Sequence, residues 1–162
     1  MLKEVIMMQI KTMQHDDFIE NAPIIQRLLK ASYVSSFKMS EDLCNRTVEF
    51  KIHELGEYVK SEKTKLVGAF IKDSLVGFIW LYIHDYFGEN RLHINHIAIE
   101  NDFRRLGIAK KLLYEAEKLA AKLKIYTIDL FVSEENSVAV KMYEDLGYVT
   151  ERRYLKKNFQ EN

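Results

Sequence analysis

A chain of 162 residues is the size of one domain and long enough to bury a core of its own. Lys plus Arg and Asp plus Glu stand at 24 each, a formal net charge of zero, which argues against a nucleic-acid binder driven by bulk phosphate attraction. Cys44 alone excludes an intramolecular disulfide or a cysteine-based zinc cluster, and the five histidines show no metal-ligand spacing, so no metal is expected.

The opening MLKEVIMMQIKTM is too short and too charged for a signal peptide, and no run approaches the roughly 18 apolar residues of a membrane span. The expectation is a cytoplasmic protein folded as a single domain, 1–162. Val5 to Lys11 reads as a first strand. Asp16 or Asp17 opens a helix carrying Phe18, Ile25, Leu28 and Leu29, with Pro23 pushing its start toward Asn21. Ala31 to Phe37 has no clear period and reads as a loop. Ser40, followed by Glu41 and Asp42, starts a second helix with Val48, Ile52, Leu55 and Val59 on one side.

The period then changes. Lys65–Ile71 and Leu75–Ile83 read as a hairpin, Phe87–Asn90 as a turn and Leu92–Ile99 as the next strand. In that strand the alternation skips a residue at Asn95-His96, which a β-bulge would repair. A strand buried on both faces is the alternative. Arg105–Lys122 reads as an amphipathic helix, Ile125–Val132 as a strand, Asn136–Leu146 as a helix and Tyr148–Tyr154 as a last strand. The order β-α-α-β-β-β-α-β-α-β requires an α/β fold with a twisted mixed sheet and helices on both faces.

The chemistry concentrates where a strand runs into Arg104-Arg-Leu-Gly107-Ile-Ala109 and a helix. A helix start has unpaired N–H groups and a partly positive dipole, and Gly107 lets an anion approach the backbone. Alone this pattern is weak. A second constellation follows, Asn136-x-x-Ala139-x-x-x-Tyr143-Glu144-x-x-Gly147-Tyr148, each member of which also has a plain structural role: helix cap, core aromatic, C-terminal glycine. Together the two resemble the GCN5-related N-acetyltransferase family, in its pyrophosphate loop and its Asn-x-x-Ala…Tyr-Glu-x-x-Gly-Phe signature.

The resemblance implies acetyl-CoA as acyl donor. Ile97, Ala98 and Ile99 would hold the pantetheine arm through their backbone. Arg104, Arg105, Leu106, Gly107, Ile108, Ala109 and Lys110 would face the pyrophosphate, and Asn136 and Tyr143 would lie by the arm and its sulfur. Tyr143 is the expected general acid. Many family members place a carboxylate near Asn95 or His96 as base. Asn95 cannot serve, so His96 is the candidate, with Glu100 and His93 weaker ones. The acceptor region would include Tyr33, Phe37, Tyr82, His84, Asp85, Tyr86 and Phe87, aromatic groups with one acid that suit a cationic amine. A small-molecule amine is the first expectation. A protein or peptide amine, or a non-catalytic CoA-binding module, remain open, and Tyr154–Phe159 offers a homodimer contact.

Overall fold

Alternating strands joined by tight turns build a sheet in which sequence neighbours pair. The structure, a computed structural model, describes residues 7–37 and 39–159. β1 (Met8–Met13), β2 (Lys65–Ile71), β3 (Ser74–Tyr86) and β4 (Glu89–Ile99) form an antiparallel meander, and β5 (Ile128–Leu130) adds parallel to β4. Both hairpin turns have two central residues of positive φ: Lys72 and Asp73 at 48° and 62°, Phe87 and Gly88 at 52° and 87°. Such turns match the twist of the flanking strands. The expected strand at Val5–Lys11 begins partly outside the described residues, and its described part runs on to Met13.

α1 (His15–Ser36) and α2 (Glu41–Lys60) cover one face of the sheet. Phe18, Ile25, Leu28 and Leu29 of α1 and Cys44, Val48 and Leu55 of α2 pack with Phe70, Phe78 and Trp80. Each such fully buried side chain contributes about 1.5–3 kcal/mol. α3 (Ile108–Lys122) lies against β2, β3 and β4 and buries Ile108, Leu112, Leu113 and Ala116. Val67, Ala69, Ile79 and Leu81 are buried on the face opposite Phe78 and Trp80. Helices on both faces of a mixed sheet are therefore observed. The chain divides into two compact units at Phe131/Val132, and the second unit holds α4 (Ser137–Asp145).

Several expected boundaries are corrected. α1 begins six residues before Asn21, because Asp17 accepts from the Gln14 N–H at 2.9 Å and fastens the first turn. Pro23 then sits inside the helix, and the carbonyl that loses its donor belongs to exposed Ile19, where water can replace it. Ala31–Phe37 is not a loop. α1 continues to Ser36, with Tyr33 packed at a tilt against Phe37 and stacked on His96. The last strand, expected at Tyr148–Tyr154, is absent among the described residues: the second unit offers it no strand to pair with, and Val149, Tyr154 and Leu155 are almost fully exposed.

Candidate active site

The skipped residue in β4 is a bulge. His96 pairs with Trp80 and Ile94 with Leu81, so Asn95 is the extra residue between two partners that are adjacent on β3. The bulge keeps Ile94 and Ile97 on the α3 face and puts His93 and His96, three residues apart, on the other. β5 pairs with β4 only from Leu92 to Ile94, while β4 runs on to Ile99. The two strands thus form a fork. Beyond Ile94, the β4 edge that faced β5 has no strand partner among the described residues, and Ile97, Ala98 and Ile99 are only partly buried there.

A 3-10 turn at Asn101–Phe103 leads from the open end of β4 into the Arg104–Lys110 loop. Arg104 Nε donates to the Ile99 carbonyl at 3.2 Å, tying loop to strand. Arg105 and Gly107 both adopt the left-handed conformation, at φ 63° and 76°. Gly107 is the N-cap of α3, which therefore starts at Ile108 rather than at Arg105 as expected. Lys111 donates the first helical bond, to the Gly107 carbonyl at 3.2 Å, leaving the N–H groups of Ile108, Ala109 and Lys110 without a helical acceptor. A Cβ added at Gly107 would meet nothing within 4 Å, so the helix opening faces free space. Unsatisfied donors, a positive dipole end and the exposed Arg104, Arg105 and Lys110 are the features a pyrophosphate requires.

In the second unit, Asn136 Oδ1 accepts from the Ala139 N–H at 3.2 Å and caps α4. Gly147, at φ 88°, ends the helix in a Schellman motif: its N–H donates to Glu144 O and that of Tyr148 to Tyr143 O. Tyr143 is buried, packs edge-on against Tyr148 at 5.4 Å between ring centroids, and has its phenol pushed up to about 12 by burial.

The remaining expected residues separate. His96 stacks with Tyr33 at 5.7 Å and Phe78 at 6.1 Å. The residue is partly exposed, but its Nε2 is buried without a hydrogen-bond partner. Burial, and then the Lys51 charge, push its imidazole down to about 4. Burial thus weakens the imidazole as a base, which weighs against the expectation of His96 in that role. Glu100 is ion-paired with Arg27. Tyr33 and half-exposed Phe37 lie with His96, whereas Tyr82 lies against His93 at 5.0 Å. Asp85 lies on the opposite face of β3 from Tyr82 and accepts from the Gly88 N–H at 3.1 Å, which closes the β3–β4 turn.

The sequence reading missed one cluster. Asp129, paired with His93 across the β4–β5 ladder, accepts from His93 Nδ1 at 2.8 Å and from His84 Nε2 at 3.0 Å. The three residues lie far apart in sequence, and only strand register joins them, so histidine spacing carried no signal.

A forked mixed sheet with a donor-rich helix start beside the fork defines the class as an α/β fold with a place for an anion at that helix start. Residues 25–148 match the model of the acetyltransferase (GNAT) family, and the chain belongs to that family, whose acyl donor is acetyl-CoA. Among similar proteins, the catalytic subunit of the N-terminal acetyltransferase B complex of Arabidopsis thaliana is 42% identical over 65 residues, 40% of this chain and 37% of that protein. Spermidine N(1)-acetyltransferase of Thermoplasma acidophilum is 32% identical over 100 residues, 60% of each chain. A GCN5-related N-acetyltransferase structure from Ralstonia eutropha JMP134 superposes with a TM-score of 0.80 at 14% identity, covering 94% of this chain and 99% of that one. The chain spans only about two fifths of the length of the first two curated relatives, at 37% and 43%.

Proposed function

We propose that the chain is one acetyltransferase domain that moves an acetyl group from acetyl-CoA to a primary amine of a small molecule, with Tyr143 as general acid. The open, donor-rich start of α3 at Gly107, beside the β4 fork, is the observation that carries this reading. Acetyl-CoA, when bound, supplies a thioester that the amine attacks directly. The N–H groups of Ile108, Ala109 and Lys110 would hold its pyrophosphate, and the backbone of Ile97, Ala98 and Ile99 would hold the pantetheine arm. A backbone N–H near Ile97, on the bent strand, would face the developing oxyanion. Asn136 would contact the arm. Tyr143 keeps its proton on Oη throughout the neutral range, because burial raises the phenol to about 12, and would present that proton to the leaving sulfur.

On the acceptor side we assign Tyr33, Phe37 and Tyr82. Tyr33 and Tyr82 are both held neutral by burial above the usual phenol range. A second reading, the N-terminal amine of a peptide, is favoured by the open surface at Phe131, which is 93% exposed and lies 5.4 Å from the His93 ring. The name of the Arabidopsis relative points the same way. Thiol release from acetyl-CoA, measured with spermidine, an aminoglycoside and an alanine-starting peptide, decides between them. Turnover with spermidine or the aminoglycoside supports the small-molecule reading, and turnover with the peptide alone supports the second. Tight acetyl-CoA binding with no turnover on any acceptor would reduce the chain to a CoA-binding module.

A further inference from the structure

Three neighbouring strands bring a group of metal-type ligands together among the described residues. β3, β4 and β5 lie side by side, and His84, His93 and Asp129 stand on their α1/α2 face, with His93 paired to Asp129 across the parallel ladder. Each offers one ligand atom, and these atoms all lie within 4.8 Å of one another. Asp129 Oδ1 is 2.8 Å from His93 Nδ1 and 3.1 Å from His84 Nε2. Tetrahedral zinc with bonds of about 2.0–2.1 Å spaces its ligand atoms roughly 3.3–3.4 Å apart, so these two contacts need to open only a little to admit an ion. His84 and Asp129 are partly exposed, which gives an ion a way in, whereas His93 is buried.

We propose that His84, His93 and Asp129 bind one divalent first-row transition ion of the zinc type, which clamps the three strands at the closed end of the fork. Two neutral imidazoles and one carboxylate suit zinc, whereas magnesium and calcium take oxygen ligands. Three protein ligands leave the fourth position to water. In the metal-free chain the same contacts serve as hydrogen bonds, each histidine donating an inward N–H to Asp129. On metal entry those two protons leave for solvent and two return to the outer nitrogens, His93 Nε2 and His84 Nδ1, so both rings stay neutral. The local charge suits a cation. Asp129 and Glu89 carry two negative charges against Arg91, which lies 3.2 Å from Glu89 and 3.8 Å from Asp129 Oδ2. Oδ2 thus faces Arg91, an outer partner that orients the carboxylate, and Oδ1 is the atom shared with both histidines. The proposal uses none of the residues assigned to the acyl donor or the acceptor, and it stands or falls apart from the acetyltransferase reading.

The test uses the untagged 162-residue chain, first stripped of metal with a chelator. Calorimetry near neutral pH should give one zinc ion per chain, and magnesium should not compete for it. Zinc at a hundredfold excess over Kd should raise the melting temperature by roughly 5–10 °C, because an ion that binds only the folded chain adds to its stability. Outer partners alone are typically worth about 10–100-fold in metal affinity, so loss of a ligand in His84→Ala or Asp129→Asn should weaken zinc binding by more than about 10-fold. Imidazole nitrogen NMR of the labelled wild type should show His84 and His93 passing together, on zinc addition, from inward to outer N–H tautomers. A wild type that binds no zinc overturns the proposal, as do variants that bind it with unchanged affinity or magnesium that displaces it. Should a variant fail to fold, the wild-type spectrum still decides, because zinc that binds without moving both histidine signals sits elsewhere.

Discussion

Tyr143 is buried with its phenol near 12, while a thiolate leaving group has a pKa of about 8.5 by analogy with cysteine. Complete proton transfer between them is uphill, so the group would act chiefly as a hydrogen-bond donor that strengthens as negative charge grows on sulfur. Tyr143→Phe should lower kcat by roughly 10²-fold with little change in the KM for acetyl-CoA. Equal losses in both would mark Tyr143 as a packing residue. His96 gives a prediction about stability. Its folded pKa, about 4, lies below its ordinary 6.5, so the unfolded chain binds the extra proton between those values. The stability is fully present above pH 6.5 and is lost as pH falls toward 4, on the order of 3 kcal/mol in all. His96→Phe, which preserves stacking with Tyr33 and Phe78, should flatten that part of the pH–stability curve measured by urea unfolding. The bulge beside His96 was legible in sequence, because an apolar period of two cannot skip a residue without cause. The weakness of His96 as a base was not legible, since it depends on rings supplied by α1 and β3.

Among the elements, the Arg104–Lys110 loop has the clearest backbone requirement. Gly107 caps α3 at φ 76°, where an L-residue costs roughly 1–2 kcal/mol. Its missing Cβ would meet nothing within 4 Å, so the cost of Gly107→Ala in the free protein is conformational alone. The expected outcome is a loss of about 1 kcal/mol in unfolding free energy together with weaker acetyl-CoA binding by calorimetry, because the added methyl stands where the anion approaches. Unchanged affinity would place the pyrophosphate elsewhere. This element could be read in the sequence because turn and helix start are local. The fork could not. The run Ile125–Val132 looks like an eight-residue strand, yet only Ile128–Leu130 pairs, and its length is set by where the bulge turns β4 away.

For the whole molecule, the apolar residues after α4 make the sharpest test of what holds the chain together. Val149, Tyr154, Leu155 and Phe159 are each more than 80% exposed, and no described residue from 148 to 159 is in a strand. The stretch Tyr148–Tyr154 reads as a last strand because its Tyr, Val and Thr residues suit a strand, but residue type does not report the presence of a pairing edge. Side chains this exposed contribute little to folding, and surface changes away from packed features usually stay within about 0.5 kcal/mol. Replacing Val149, Tyr154 and Leu155 together with serine should therefore leave the unfolding free energy nearly unchanged in urea. A loss well above 1 kcal/mol would mean that the segment is paired as a strand in solution. Sedimentation of the same variant addresses the homodimer expected from Tyr154–Phe159. A wild-type dimer that becomes a monomer, with folding stability intact, assigns the apolar stripe to association. A dimer that survives the three substitutions places the contact elsewhere.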